Sequence, residues 1–403
     1  MFIGIDWGSE KDVVSVVNAH GKVLADRSFS HSAGGIAEMV TFLRTYEELK
    51  IAIETPYGPI VESLLEHGLT VFVINPRQLD RFRDRFTLAG AKDDSLDARV
   101  LADSLRTDEH CFRRLSIEDP WVIELREWSR IYDELGIEEV RQGNRLREHL
   151  NRYYPQILEC GDVTEEWILR LCELAPTPAE VKKLTVARVR KLLREARIRR
   201  LTPDDVLTIL RGPAYSLSEG TENAASAHVR VLLPQLRLTL TQRHEAKRKL
   251  EEFLKCVDES KEKGRAAFHQ DIQRFQTLPG AGIVVVSVVM SEAARPLAER
   301  NYDTIRSFAG VAPVTRSSGK KLVVVRRHSC NPRLSQALYH WARTAIQNDP
   351  GLREKYARMR ARGHTHGRAL RGIGDKLLSI LCAMLKDGTD YRPTVTRDLQ
   401  IVA

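Results

Sequence analysis

Two carboxylates stand at the ends of short apolar segments near the start of the chain. Asp6 closes the run that begins at Phe2, and Glu54 closes a second run that begins at Leu49. The carboxyl ends of parallel strands meet at one edge of an α/β sheet, where such proteins gather their active groups. If the two runs are neighbouring parallel strands, Asp6 and Glu54 lie side by side.

Two further acids are three residues apart at the start of a predicted helix. Because positions i and i+3 share a helix face, Asp94 and Asp97 can point toward the same sheet edge. Taken singly, Asp94 is explained by a helix N-cap and Asp97 by a first-turn acid that the helix dipole favours. Four acids at the ends of the right elements favour a shared site, with Asp93 as the alternative to Asp94.

Four converging carboxylates suit metal-assisted phosphoryl transfer. Mg²⁺ prefers hard oxygen ligands and keeps positions open for phosphate and water. Two-metal sites need several carboxylates around ions about 3.5–4 Å apart. We therefore predict that Asp6, Glu54, Asp94 and Asp97 bind Mg²⁺, with Mn²⁺ able to take its place.

The elements that position these acids follow in the order β-β-β-α-β-α-β. Apolar runs predict strands at 2–6, 13–17, 23–29, 49–54 and 71–74, and helical spacing predicts helices at 36–43 and 59–66. Three antiparallel strands followed by parallel βα units are typical of the RNase H-like fold. We assign this α/β domain to residues 1–115.

Beyond residue 115 the strand signals disappear, and residues 116–270 predict a long helical region. Six apolar residues share the a and d positions of one heptad frame, which Arg243 and Lys247 interrupt. The pattern fits either a coiled coil or a helix packed in its own bundle. The heptad residues are Leu233, Leu236, Leu240, Leu250, Leu254 and Val257.

Residues 271–403 are predicted to form a third, mainly helical domain. The segment 278–283, which reads Leu-Pro-Gly-Ala-Gly-Ile, has the shape of a helix-hairpin-helix turn that could bind phosphate, although an ordinary helix start explains it better. Between Gly319 and Gly372 the chain has 13 Lys and Arg residues against two acids. We place much of the nucleic-acid contact in this basic stretch.

The composition narrows the class of protein. The formal charge of +9 over 403 residues favours a polyanionic partner such as nucleic acid. Six scattered cysteines without a Cys-x-x-Cys pair argue against zinc ribbons and disulfide frameworks, and fit reduced thiols in the cytoplasm. No apolar run is long enough to predict a membrane span, and Asp6 interrupts any signal-peptide pattern.

Three motifs around the acids resemble the DEDD signature of the IS110 family of insertion-sequence transposases, which is related to the Piv invertase and to RuvC-type junction resolvases. They are Gly4-Ile5-Asp6, Ile53-Glu54-Thr55 and Lys92-x-Asp94-x-x-Asp97-Ala98. Three later motifs, Leu278-Pro279-Gly280, Phe308-Ala309-Gly310-Val311-Ala312-Pro313 and Arg316-Ser317-Ser318-Gly319, resemble the second domain of the same family. The resemblance covers nearly the whole chain in the expected order.

The resemblance implies a RuvC-like domain joined to a domain that carries a nucleophilic serine. That serine maps to Ser318, with Ser317 as the adjacent alternative. It would attack a DNA phosphate and form a phosphoserine link, in a composite site built by a dimer or tetramer. A structured bridge RNA would supply the sequence specificity. Lys320 follows Ser318-Gly319 where the family often has a second glycine, so the roles of the flanking residues are not carried over.

Three rival functions are weighed against a recombinase. A RuvC-type nuclease would hydrolyse DNA with metal-activated water and no serine. The run from Gly4 to Ser9 also resembles the first phosphate loop of sugar-kinase and actin-like ATPases, but those proteins need a second, similar half that the helical middle does not offer. A catalytically silent nucleic-acid scaffold would show no metal-dependent strand cleavage.

For several other residues the function stays undecided, or a structural role is favoured. A basic stretch before the acids could hold nucleic acid or form a solvated loop; it comprises Arg77, Arg81, Arg83, Arg85 and Lys92. His364 and His366 point to different sides of a helix, which favours a solvated basic surface over a metal pair. Trp341 and Tyr339 are predicted to lie in the core rather than to stack on bases.

Overall fold

The computed structural model describes residues 1–86, 93–117, 119–255, 263–319 and 321–393. The chain divides into two compact units, of which the first is Met1–Asp119 and the second begins at Pro120. Across the described ranges, no helix has both the length and the apolar character needed to cross a membrane.

The first unit is a six-stranded mixed sheet with helices on both faces. Its strands are β1 (Phe2–Trp7), β2 (Lys11–Val17), β3 (Val23–Ser30), β4 (Lys50–Ile53), β5 (Val71–Val73) and β6 (Arg113–Arg114). Its helices are α1 (Ala33–Leu43), α2 (Pro59–Glu66), α3 (Pro76–Arg83) and α4 (Asp94–Asp108), followed by a 3-10 turn at Glu109–Cys111. The predicted β-β-β-α-β-α-β order is confirmed, whereas α3 and β6 were not predicted.

The spatial order of the strands is β3-β2-β1-β4-β5-β6. Strands β1, β4 and β5 are parallel to one another, and β2, β3 and β6 run antiparallel to their neighbours. The strand that ends in Asp6 and the strand that precedes Glu54 are therefore direct neighbours, as the sequence predicts.

Side-chain alternation separates the two faces of this sheet. Ile3 and Ile5 of β1 are buried with the apolar residues of α1 and α2. Ala52 of β4 is buried on the other face with Val100 and Leu101 of α4. On β1 that face belongs to Gly4, where an added Cβ would lie only 1.8 Å from the carbonyl oxygen of Ala98. Glycine therefore lets the backbone of α4 rest directly on the strand.

In its described residues, the second unit is helical except for one β-hairpin. Its first helices are α5 (Pro120–Tyr153), α6 (Gln156–Cys160), α7 (Glu166–Leu174), α8 (Pro178–Val181), α9 (Val186–Glu195), α10 (Pro203–Leu210) and α11 (Glu219–Lys255). Its later elements are α12 (Lys263–Gln276), α13 (Ile283–Glu292), α14 (Ala294–Ala298), α15 (Tyr302–Phe308), β7 (Val314–Ser318), β8 (Lys321–Val325), α16 (Pro332–Asn348), α17 (Pro350–Ala361) and α18 (His366–Asp387). The β7–β8 hairpin was not predicted from the sequence.

Helices α5 and α11 pack against each other in antiparallel fashion. Thr239 donates its hydroxyl hydrogen to Gln142 at 3.0 Å, and Arg243 pairs with Glu139 at 2.6 Å. Four of the heptad leucines are fully buried, Leu240 is partly buried, and Val257 lies outside the described residues. Helix α11 continues through Pro234 without ending there.

The C-terminal helices surround a separate core in which Trp341 is fully buried. The indole of Trp341 donates to the carbonyl oxygen of Pro279 at 3.0 Å, in the turn between α12 and α13. Gly280 in that turn has a φ of +75°, and a Cβ there would lie 2.7 Å from the backbone nitrogen of Ala345. This part of the turn therefore packs on α16. Tyr339 is 39% exposed, so the prediction that it lies in the core is wrong.

Candidate active site

Asp6 and Glu54 extend from neighbouring strands at the same end of the sheet. Gly4 is in register with Ala52, and Ile5 is in register with Ile53. One residue further along each strand, alternation returns both acids to the face that α4 covers. Asp6 and Glu54 therefore follow paired positions of two neighbouring strands, and their meeting as ligands stays a prediction.

Helix α4 brings the other two acids to this end of the sheet. The helix begins at Asp94, while Asp93 occupies the N-cap position in an extended conformation and, among the described residues, makes no side-chain capping bond. Asp97 follows one turn later, immediately before the residue that rests on Gly4. The first turn of α4 carries the positive end of the helix dipole, which stabilises acids there.

Asp94 and Asp97 are each paired with a cation that the sequence analysis did not assign to the site. Lys11 Nζ lies 3.2 Å from Asp94 Oδ2, and Arg83 Nε lies 2.6 Å from Asp97 Oδ1. Asp97 is only 3% exposed, so Arg83 compensates a buried charge. The pKa of Arg83 is raised, although its partial burial alone would lower it, because Asp97 and Asp80 stabilise the guanidinium.

The four acids share one end of the sheet but are not gathered into a ligand set. Within the described residues, no three His, Cys, Asp or Glu side chains are close enough together to hold a metal ion. Their placement and their hard oxygen atoms fit a divalent cation. Their contacts in this structure do not fit a bound cation, because Asp94 and Asp97 are already paired with Lys11 and Arg83.

The basic residues that precede the acids have different roles in the structure. Arg83 belongs to the acidic site, whereas Arg85 pairs with Asp108 at 3.1 Å and covers the ring of Phe82. Arg77 and Arg81 are exposed on α3. Lys92 lies outside the described residues. Sequence spacing could not separate these roles, because they depend on how α3 packs against α4.

The two candidate serines lie at the tip of the β7–β8 hairpin. Ser318 is in register with Lys321, and Gly319 in the turn has a φ of +55°. Both serines are exposed, and alternation points their side chains to opposite faces. Ser318 shares its face with Arg316, whereas Ser317 lies opposite the exposed Leu322. In the described part of the chain, no hydrogen bond links either hydroxyl to a base.

Comparison with known proteins identifies the family. A model for DEDD transposases of the IS110 type, described as "Transposase", matches residues 3–155. A second model, described as "Transposase IS116/IS110/IS902 family", matches residues 272–357. A relative from Streptomyces coelicolor, the "Mini-circle putative transposase for IS117", is 30% identical over all of this chain and 98% of its own length. This chain belongs to the IS110 family of transposases.

Other relatives agree with this assignment. The "Putative transposase y4uE" of Sinorhizobium fredii is 48% identical over 49% of this chain and 57% of its own length. The "Insertion element IS110 uncharacterized 43.6 kDa protein" of Streptomyces coelicolor is 28% identical over all of this chain and 98% of its own length. As an IS110-family transposase, the protein acts on DNA and is an enzyme of DNA cleavage and rejoining. Its DEDD domain implies dependence on a divalent metal ion.

Replacing Arg83 by Gln is expected to lower the melting temperature without metal and to enlarge the stabilisation by Mg²⁺. Asp97 would lose its cation while buried, which costs on the order of 3 kcal/mol. A divalent ion would then compensate that carboxylate without displacing Arg83, so binding to the folded state would stabilise the variant more. Thermal unfolding of the full chain with and without MgCl₂ measures both effects.

Arg85→Gln is the matched control, because Arg85 pairs with the more exposed Asp108 instead. Its unfolding temperature should change little, and its response to Mg²⁺ should equal that of the unaltered protein. If Arg83→Gln and the unaltered protein gain the same stability from Mg²⁺, Arg83 does not compete with a metal at Asp97.

Proposed function

We propose that this IS110-family transposase excises and inserts an insertion sequence by Mg²⁺-assisted attack of Ser318 on DNA phosphates. The observation that carries the proposal is the position of α4. Its first turn brings Asp94 and Asp97 to the strand ends that present Asp6 and Glu54. A carboxylate group of this kind suits phosphoryl chemistry, and the family model places the chain among transposases.

The strand order supports an RNase H-like, RuvC-like fold for this unit. The antiparallel strands β2 and β3 lie on one side of β1, and the parallel strands β4 and β5 follow on the other. We keep the proposed division into a RuvC-like domain at 1–115, a helical and coiled-coil region at 116–270 and a C-terminal transposase domain at 271–403. The antiparallel contact between α5 and α11 supports a coiled coil in the middle region.

We assign the four acids the role of metal ligands. When bound, Mg²⁺ would stabilise the negative charge that develops on the reacting phosphate. Asp94 is preferred over Asp93 because its carboxylate reaches Lys11, the first residue of β2, at the sheet end where Asp6 lies. Lys11 and Arg83 would have to leave Asp94 and Asp97, and both are then free to contact DNA phosphates.

Ser318 is preferred over Ser317 as the nucleophile. The face of the hairpin that carries Ser318 also carries Arg316, whose charge favours an approaching phosphate. The opposite face presents Ser317 beside apolar Leu322, which is 70% exposed. A serine hydroxyl needs a base or a metal to become a strong nucleophile. The exposed hydroxyl therefore requires a partner that approaches it during the reaction.

We propose that this partner is the acidic site of another subunit, so that a dimer or tetramer forms composite active sites. The exposed apolar side chains of the hairpin support a contact with a further protein surface, since isolated two-stranded hairpins are only marginally stable. We further propose that a bridge RNA guides the protein to its DNA sites. The net charge of +9 favours polyanionic partners.

The proposal is tested by purifying the protein from cells that carry its native flanking DNA. Sequencing of bound nucleic acid should recover one structured RNA encoded in that DNA, and adding this RNA to the protein should give rejoined DNA products. Recovery of cut but never rejoined DNA would instead support the alternative, a RuvC-type endonuclease that acts by hydrolysis. Rejoining without any bound RNA would remove the guide from the proposal.

A further inference from the structure

Arg326 and Arg368 lie within electrostatic reach of Arg371 in the second unit. Arg326 follows the last residue of β8, and Arg368 and Arg371 lie three residues apart on the first turns of α18. In the parts of the chain that the structure describes, none of the three forms an ion pair with Asp or Glu. Other arginines of the unit do: Arg306 pairs with Asp375 at 2.8 Å. We name Arg326, Arg368 and Arg371 the arginine cluster.

The surroundings of the arginine cluster disfavour its positive charges. The pKa of Arg371 is lowered, first because the side chain is partly buried and then because Arg326 and Arg368 repel its charge. The beginning of α18 adds the positive end of a 22-residue helix, and no acid lies in its first turn. Cations are unfavourable at this end of a helix. A bound anion would relieve both sources of repulsion.

The residues around the cluster favour a nucleic-acid phosphate over a simple anion. Arg327 Nε, next to Arg326 in sequence, is buried and has no hydrogen-bond partner among the described residues. Aromatic rings lie at the start of α18, the helix that carries Arg368 and Arg371. The hydroxyl of Tyr356 lies 2.8 Å from His366 Nδ1, and the exposed Tyr339 contacts the same imidazole edge-on. Guanidinium groups match phosphate geometry, and nearby rings can stack on bases.

We propose that the arginine cluster binds the phosphodiester backbone of the nucleic acid on which the transposase acts. Strand β8 sets its distance from the proposed nucleophile. Lys321 lies opposite Ser318, and Arg326 follows Lys321 by five positions, which corresponds to about 17 Å along an extended strand. The position relative to Ser318 rests on the proposed function, whereas the binding does not.

The test measures equilibrium binding of the full chain to two probes, a 40-base-pair duplex DNA of random sequence and a 40-nucleotide RNA, over a series of salt concentrations. Arg371→Gln should weaken binding about five- to tenfold and reduce the slope of log K against log salt by about one. Arg371→Lys, which keeps the charge, should restore most of the slope. Arg326→Gln removes an exposed member of the cluster and should reproduce the effect without disturbing the core.

Arg190→Gln is the matched control, because Arg190 is an exposed arginine on α9, far along the chain from the cluster. It should leave both affinity and slope unchanged. A loss on the duplex supports the proposal, whereas a loss on the RNA alone would overturn it in favour of a guide RNA. Unchanged binding to both probes by folded Arg326→Gln and Arg371→Gln would overturn the proposal. The binding measurement requires no strand cleavage, so failure of the serine mechanism would be seen separately, in the assay for the covalent adduct.

Discussion

Asp6→Asn is expected to reduce excision of the element by about a thousandfold. The substitution keeps the size of the side chain and removes one negative charge at the end of β1, where Asp6 stands beside Glu54. Loss of one ligand charge that stabilises a phosphoryl-transfer transition state costs on the order of 4 kcal/mol, which corresponds to three orders of magnitude in rate. Excision from a plasmid that carries the native element and its flanks measures the effect.

Asp26→Asn is the matched control for this result. Asp26 lies on β3, where it is exposed and in register with Ser15. It loses the same charge in the same sheet, away from the strand ends, so excision should stay within about twofold. Excision at the rate of the unaltered protein by a folded Asp6→Asn variant would remove Asp6 from the active site. Circular dichroism and thermal unfolding confirm that both variants are folded.

Much of the first unit could be predicted because short stretches of sequence mark its strands and helices. Strand β1 and the apolar part of β4 are short runs that end beside Asp6 and Glu54, and the order of elements restricts how such strands can pair. The sequence also places Asp94 and Asp97 on one helix face. What it does not contain is the close contact of α4 with Gly4, which exists only because β1 and α4 pack face to face.

The contacts of the acids were beyond sequence reasoning for the same reason. Lys11 lies five residues after Asp6, at the start of β2, and nothing local connects it with Asp94. Arg83 reaches Asp97 across 14 positions, between helices α3 and α4. An ion pair of this kind depends on how two helices pack, whereas hydrophobic periodicity records only which face of each helix is buried.

The second unit shows a different limit. Helix α11 was recognised from its heptad leucines, but its partner α5 was not, because a charged helix of 34 residues has no sequence mark of which helix it will contact. The β7–β8 hairpin was missed although Leu322, Val323 and Val324 form a β-favouring run. The run lies between helical segments and was therefore not assigned to a strand. The hairpin matters because its register, rather than the motif, separates Ser317 from Ser318.

Ser318→Ala is expected to abolish the covalent protein–DNA adduct. Removing the hydroxyl leaves no atom that can form a phosphoserine bond, whereas the fold should be unaffected because Ser318 is exposed at the tip of a hairpin. Residual strand cleavage, if any, should be at least a thousandfold slower than in the unaltered protein. Denaturing electrophoresis of reactions with end-labelled DNA detects the adduct, and digestion followed by mass spectrometry locates the modified residue.

Ser317→Ala provides the neighbouring control. Its side chain leaves the opposite face of the hairpin, beside Leu322, so the adduct should form at a rate within about tenfold of the unaltered protein. An adduct that persists in Ser318→Ala and disappears in Ser317→Ala would exchange their roles. Active protein that cuts DNA without any adduct would instead mean that the acids activate water, and the exposed hairpin would then need a role other than supplying the nucleophile.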